Sequence, residues 1–258
     1  FIERAYLDLE HLTAGKTPHI RRLAARELAL WHANKYTEED SQKCLKWLEI
    51  AKQGETGSIK IRQNAILEAE SLHALDQTKK AKKVVENELK KENHADLYLA
   101  RANLEQEISA KLIWINQALS LHGLYEITCN PEGKATPYDG LKAKPGAIKK
   151  NALPANAPKV TVIIPAYNAQ DTISVALDSV LAQTWSNLEV LVVDDCSTDD
   201  TVEVIESYVQ KDHRVRLIQA EVNQGPYVAR NLALKEATGD FVTVNDADDW
   251  SHPEKIEI

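Results

Sequence analysis

Hydrophobic positions along this chain follow two different periods. Up to about residue 122 they recur at the three-and-four spacing of amphipathic helices, almost without proline. Thr17-Pro18 reads as an N-cap followed by proline in the first turn, opening a helix through HIRRLAARELALWHANKY whose apolar face is Leu23, Leu28, Leu30 and Trp31. Thr37 followed by Glu38, Glu39 and Asp40 starts the next, because acids suit the positive end of the helix dipole. Leu45, Trp47 and Leu48 supply its buried stripe until Gly54 and Gly57 break it. Further helices are predicted at Ser58 to Leu75, Lys79 to Lys90, Ala95 to Ile108 and Ala110 to Leu121, the last closed by Gly123. Trp31, Trp47 and Trp114 fall within these apolar patterns and are expected in the core.

The texture changes from Gly123 to Lys159, where five prolines (Pro131, Pro137, Pro145, Pro154, Pro158) and four glycines (Gly123, Gly133, Gly140, Gly146) interrupt any apolar period. This stretch is expected to connect two domains as a partly packed, extended crossing. From Val160 short, unbroken apolar runs alternate with helical patterns. VTVII, LEVLVVD, VRLIQA and FVTV read as strands, with DTISVALDSVLAQ, DTVEVIESYVQK and PYVARNLALKEA as the helices between them. That alternation predicts a parallel sheet with helices on both faces. The fold class is therefore α/β: a helical domain over 1–122, a connecting segment over 123–159 and a Rossmann-like sheet domain over 160–258. In the helical part, hairpin turns recur near Thr37, Thr78 and Ser109, a spacing loosely similar to tetratricopeptide repeats without their full consensus. A scaffold that presents a surface to a protein partner and a purely packing domain are both open readings of it.

Composition narrows the function. A net charge of -8 and a pI near 5.6, with no long basic block, argue against general nucleic-acid binding. KKAKK, Lys79 to Lys83, reads as a solvated helix face. Cys44, Cys129 and Cys196 lie far apart, giving neither a disulfide framework nor a zinc motif and pointing to a reducing compartment. No apolar run approaches the roughly 18 residues that span a bilayer, and the first residues lack a signal-peptide pattern. A cytoplasmic location is expected, with peripheral attachment at the inner face of the membrane as a variant of it. The absence of Met predicts a fragment, a processed form or a sequence lacking some residues, and HPEKIEI, stopping inside what reads as a new helix, supports the fragment reading.

The candidate chemistry lies in GDFVTVNDADDW, Gly239 to Trp250, where an apolar run predicted to be a buried strand ends in Asp246, Asp248 and Asp249. In open α/β sheets ligands bind outside the carboxyl ends of the strands, which makes the spaced pair Asp246 and Asp248 candidates for metal or substrate. The alternative is a solvated turn capping a following helix, with Ser251 and Pro253 as its starting signals. IIPAYNAQDT lacks the glycines of a dinucleotide fingerprint, and no Walker sequence is present. DDCSTDDT places Asp194 and Asp195 at the sheet edge, with Ser197 or Thr198 available to cap the next helix and Asp199 and Asp200 as first-turn acids. Gly225-Pro226 opens another helix with Arg230 one turn inside, a guanidinium suited to a diphosphate or to orienting carboxylates.

Together VTVIIPAYN, VVDDCSTDDT, GPYVARN and GDFVTVNDADDW, in that order and spacing, resemble the nucleotide-binding half of a family 2 glycosyltransferase with the GT-A fold. The resemblance covers residues 160 to 258. It implies that Tyr167 lies against the nucleotide base with Pro165 and Ala166 contacting it through the backbone, that Asp195 bonds the base or ribose, and that Arg230 sits near Asp195 and the pyrophosphate. It makes Asp246 and Asp248 the DxD that holds Mn²⁺ or Mg²⁺. Oxygen ligands from carboxylates and diphosphate suit such a cation. Cys196 departs from the family's usual glycine. The family's acceptor-binding half and general base normally follow the DxD by many tens of residues, so no catalytic base is assigned.

The implied activity is a metal-dependent, inverting transfer of a sugar from a nucleoside-diphosphate sugar, a UDP-sugar in the first instance, to a glycan or lipid-linked acceptor in bacterial surface polysaccharide synthesis. The competing reading is a helical protein-interaction scaffold carrying a non-catalytic nucleotide-binding module.

Overall fold

The computed structural model describes residues 1–130, 136–144, 153–154 and 156–257; Pro131, Gly133, Pro145 and Gly146 of the Pro/Gly-rich stretch lie outside the described residues. The chain forms two compact units, Phe1–Gly123 and Leu124–Ile258.

The first unit is helical: α1 (Ile2–Thr13), α2 (Pro18–Ala33), α3 (Glu38–Ala51), α4 (Ser58–Ala74), α5 (Thr78–Leu89), α6 (Ala95–Asn103) and α7 (Ile108–Leu121). α1 adds a helix to those the pattern singles out, and α6 ends earlier than the expected Ile108. Thr37 caps α3, its hydroxyl accepting the Asp40 N–H at 3.0 Å. The buried face of α2 differs from the expectation. It is Ala24, Ala25, Leu28, Ala29 and His32, while Leu23 and Trp31 are exposed. Small side chains let α2 approach α3 closely, where Cys44, Trp47 and Leu48 complete the packing. Trp31 instead lies beneath Lys35 at 5.4 Å. Trp47 is buried, whereas Trp114 is half-buried with the Arg101 guanidinium 4.7 Å from its ring. Buried His32 joins three helices, bonding the Tyr6 hydroxyl at 2.9 Å and the Asp40 carboxylate at 2.6 Å. Hydrogen bonds from His32 and Thr37 hold the Asp40 pKa at about 2.

In the second unit a parallel sheet of order β5-β4-β3-β6 is built from β3 (Val160–Ala166), β4 (Leu188–Asp194), β5 (Val215–Gln219) and β6 (Phe241–Val244). Val162, Ile164, Val190 and Val192 pack one face against α8 (Ile173–Leu181) and α9 (Thr201–Lys211). Ile163, Leu191 and Val193 pack the other against Ala229 and Ala233 of α10 (Pro226–Glu236). Burial on both faces is why β3 and β4 read as mostly apolar runs, with Thr161 and Glu189 as the polar exceptions at their amino ends.

β6 departs from the buried strand expected at this position. Phe241, Val242 and Val244 are exposed by 61%, 44% and 38%. Among the described residues β6 is one edge of the sheet, and α10 covers β3 and β4 instead. A β-branched run signals a strand but not its place in the sheet. Gly239, entering β6, is required by close approach, since a Cβ there would lie 2.7 Å from the Thr161 backbone nitrogen.

Ahead of the sheet, β1 (Ile127–Cys129) and β2 (Leu141–Ala143) pair antiparallel, preceded on the β2 side by a one-turn 3-10 helix, Tyr138–Gly140. At the other end no helix forms over HPEKI among the described residues; turns closed by Lys255 N–H to His252 and Glu257 N–H to Glu254 take its place. The Pro253 carbonyl accepts the Thr184 backbone N–H at 2.8 Å, a tertiary contact that ties these turns to the loop after α8.

Candidate functional site

Because the four strands are parallel, their carboxyl ends share one edge of the sheet. β3 brings Pro165 and Ala166 into register with Val193 and Asp194, and the Asp195 N–H donates to the Ala166 carbonyl at 2.8 Å. The two loops that follow are tied together. Asn168, in the left-handed region at φ 48°, donates its N–H to the Ser197 hydroxyl at 2.9 Å and accepts the Thr198 N–H at 2.8 Å. Ser197 and Thr198 therefore do not cap α9 as expected; Asp200 occupies the cap position. Cross-loop bonds use their polar atoms instead. Tyr167, at the head of this loop, is 51% exposed.

Asp195 is 3% exposed, and its two carboxylate oxygens accept the N–H groups of Gln224 and Gly225 at 3.0 and 2.7 Å. Gly225 has φ 85° and ψ 166°, a conformation close to exclusive to glycine. Asp195 thus fixes the loop that starts α10 and, one turn later, Arg230. Asp194 accepts the Ser197 N–H through Oδ2, and its buried Oδ1 has no partner among the described residues.

Arg230 donates from Nη2 to Asp246 Oδ1 at 2.7 Å, with its guanidinium 5.6 Å from the Tyr227 ring. The acidic turn itself is organised by Asn245, which is 1% exposed. Its amide donates to the carbonyls of Asp246 and Asp249, both at 3.0 Å, while its oxygen accepts from the Ser251 hydroxyl and from Lys255 at 3.1 Å. Ser251 is in turn buried, its N–H donating to the Ser179 hydroxyl at 2.9 Å. Ser251 and Pro253 therefore serve tertiary packing, and the carboxylates cap no helix within residues 251–257. The Asp248 side chain is exposed, and its carbonyl accepts the Tyr138 hydroxyl at 2.8 Å. Burial, with the charges of Asp249 and Asp248, pushes the Tyr138 pKa up to about 12, so this hydroxyl stays a donor across the physiological range.

Asp246 and Asp248 offer hard carboxylate oxygens, the donor chemistry of Mg²⁺ and Mn²⁺. Among the described residues no group of three or more His, Cys, Asp or Glu is placed to hold a cation. Two carboxylates suit a cation whose remaining ligands come from diphosphate and water.

All seven residues picked from the sequence, Pro165, Ala166, Tyr167, Asp195, Arg230, Asp246 and Asp248, lie at or beyond the carboxyl ends of β3, β4 and β6 or one turn into α10. Hydrogen bonds link Arg230 to Asp246, and Asp195 to the loop carrying Arg230. Sequence reasoning missed Asn245, Tyr227 and Tyr138. A polar residue closing an apolar strand was the signal for Asn245; none marked Tyr138, whose contact spans 110 residues.

A parallel sheet with an acidic turn and a guanidinium at its carboxyl edge places this unit among the open α/β domains, in which ligands bind outside the carboxyl ends of the strands. Residues 161–258 match the model of "Glycosyl transferase family 2". An uncharacterized glycosyltransferase of Haemophilus influenzae is 40% identical over 102 residues, 40% of this chain and 41% of that protein. The succinoglycan biosynthesis protein ExoO of Rhizobium meliloti is 43% identical over 99 residues, 38% of this chain and 28% of that protein. Among solved structures, the mannosyltransferase PcManGT from Pyrobaculum calidifontis in complex with GDP-Man and Mn²⁺ is 34% identical over 39% of this chain and 30% of that chain, with a TM-score of 0.36. The chain thus spans about two fifths or less of the length of these relatives.

Proposed function

We propose that the α/β unit binds a nucleoside-diphosphate sugar through a divalent cation, and that the protein transfers the sugar, with inversion in a single displacement, to a glycan or lipid-linked acceptor. The observation that carries this reading is the acidic turn: Asn245 is committed to shaping it, and Arg230 is paired to it. Asp246 and Asp248 would hold Mn²⁺ or Mg²⁺, which when bound neutralises the diphosphate and stabilises the departing nucleoside diphosphate. Arg230 orients Asp246 and offers its remaining N–H groups to phosphate oxygens. Asp195 presets the α10 loop, and Tyr167 supplies an exposed aromatic face for the base, with Pro165 and Ala166 forming the backbone floor. No residue is assigned as general base.

Surface polysaccharide synthesis is the proposed setting, by analogy with the relative named for succinoglycan biosynthesis. No helix among the described residues is long and apolar enough to cross a membrane. We place the reaction in the cytoplasm, with the protein peripheral to the inner face of the membrane. Competition between uridine and guanosine diphosphates for the site, in Mn²⁺, tests the donor class. Preferential uridine diphosphate binding is expected, and absence of binding by either nucleotide contradicts the reading.

A further inference from the structure

We infer that Tyr138 is a positioning residue for Asp248, and that the β1–β2 hairpin, which lies outside the glycosyltransferase segment, is a strap that presets the acidic turn for cation and diphosphate. This rests on the reading of the acidic turn given above. Tyr138 opens the one-turn helix between the hairpin strands and donates its hydroxyl to the Asp248 carbonyl at 2.8 Å. That helix is itself anchored: the Asn130 N–H donates to the Gly140 carbonyl at 2.9 Å, and Asp139 accepts the Thr136 N–H at 2.8 Å. The same stretch grips the far end of the loop. The Tyr125 N–H donates to Glu254 Oε2 at 2.7 Å, and the His252 ring bonds the Tyr125 carbonyl at 2.9 Å.

The loop leaving the acidic turn is thus held from outside at Asp248 and at 252–254, and from inside by Asn245. Asp248's carboxylate has no bond among the described residues, so its position follows from its backbone, and the Tyr138 hydroxyl is the side-chain hold on that backbone. A preset carboxylate gains cation affinity because less ordering remains to be done on binding.

Tyr138→Phe in the full 258-residue chain removes the hydroxyl and keeps the ring. Three measurements apply: uridine diphosphate binding as Mn²⁺ is titrated, the same binding in chelator, and amide hydrogen exchange over 246–250. Metal-assisted binding should weaken about 3- to 10-fold, the range of one hydrogen bond, while metal-free binding stays unchanged, the melting temperature falls by no more than the few degrees that one hydrogen bond is worth, and exchange over 246–250 quickens. Wild-type metal-assisted binding that Tyr138→Phe leaves unchanged overturns the strap and leaves the site reading intact. Equal losses with and without metal, together with a melting temperature lowered further than that, reduce Tyr138 to a structural residue and also overturn it. A wild-type chain that shows no metal-assisted binding sinks the site reading, and the strap with it.

Discussion

Arg230 and Asp246 form an ion pair at 2.7 Å across the carboxyl edge of the sheet, with the arginine side chain 26% and the aspartate 50% exposed. A pair this open to water contributes little to stability, so its consequence lies in orientation and in the charge presented to a ligand. Arg230→Ala should leave the melting temperature within about 2 °C of wild type while weakening nucleoside diphosphate binding about 10-fold or more. Arg230→Lys keeps the charge without the fork and should recover part of that loss. Calorimetric titration beside thermal melting separates the two effects; unchanged binding in Arg230→Ala would remove the guanidinium from the site.

Cys196 stands where the family resemblance calls for glycine, and its φ of 64° gives the physical meaning of that departure. An L side chain in the left-handed region carries about 1–2 kcal/mol of strain. Cys196→Gly relieves it, less the greater freedom glycine has when unfolded, for a net stabilisation of about 0.5–1 kcal/mol. Urea denaturation should show a higher midpoint at constant m-value, and a lower midpoint would show that the thiol makes a contact that outweighs the strain.

Glu189 is a buried acid near the amino end of β4, far along the strand from the site. Burial alone would raise its pKa, but hydrogen bonds from the Thr161 hydroxyl, the Thr238 N–H, Lys159 and the Thr238 hydroxyl outweigh burial and bring it to about 2. A carboxylate more acidic folded than unfolded favours folding while it is ionised. Its contribution is complete above roughly the ordinary value of 4.5 and is lost as pH falls toward 2. Glu189→Gln should cost about 2 kcal/mol at neutral pH and flatten the fall in stability between pH 4.5 and 2. Denaturation across that range checks it; an unaltered pH profile would mean other acids dominate.

Much of this architecture is legible in the residues, and the failures have identifiable physics. β3 and β4 declare themselves because strands covered on both faces are predominantly apolar, with Thr161 and Glu189 paired to each other at their amino ends. β6 has the same letters, yet sheet order is set by long-range pairing that no local pattern encodes. On α2 the large residues drew attention, while Ala24, Ala25 and Ala29 make the close contact. At the site, spacing located the carboxylates and Arg230. The residues that hold them, Asn245 and Tyr138, act through backbone carbonyls, and hydrogen bonds of that kind leave almost no trace in composition.

We further propose that the helical unit, Phe1–Gly123, and the sheet unit, Leu124–Ile258, are independently stable domains, since each has its own buried cluster. Limited proteolysis should cut first within 123–159 and leave two resistant fragments. First cleavage inside 17–122 would count against the division.

We propose that Asp246 and Asp248 engage a diphosphate through a shared divalent cation. Without the cation these carboxylates repel the diphosphate, with Arg230 as a partial offset. The most direct measurement is a titration of uridine diphosphate and guanosine diphosphate, in Mn²⁺ and in chelator, against the wild-type chain and an Asp246→Asn, Asp248→Asn double variant. Chelation should weaken wild-type binding by about 10-fold or more and change binding by the double variant far less, because the variant carries neither the ligands nor the repulsion. Binding of equal strength in both proteins, with or without metal, would contradict the account.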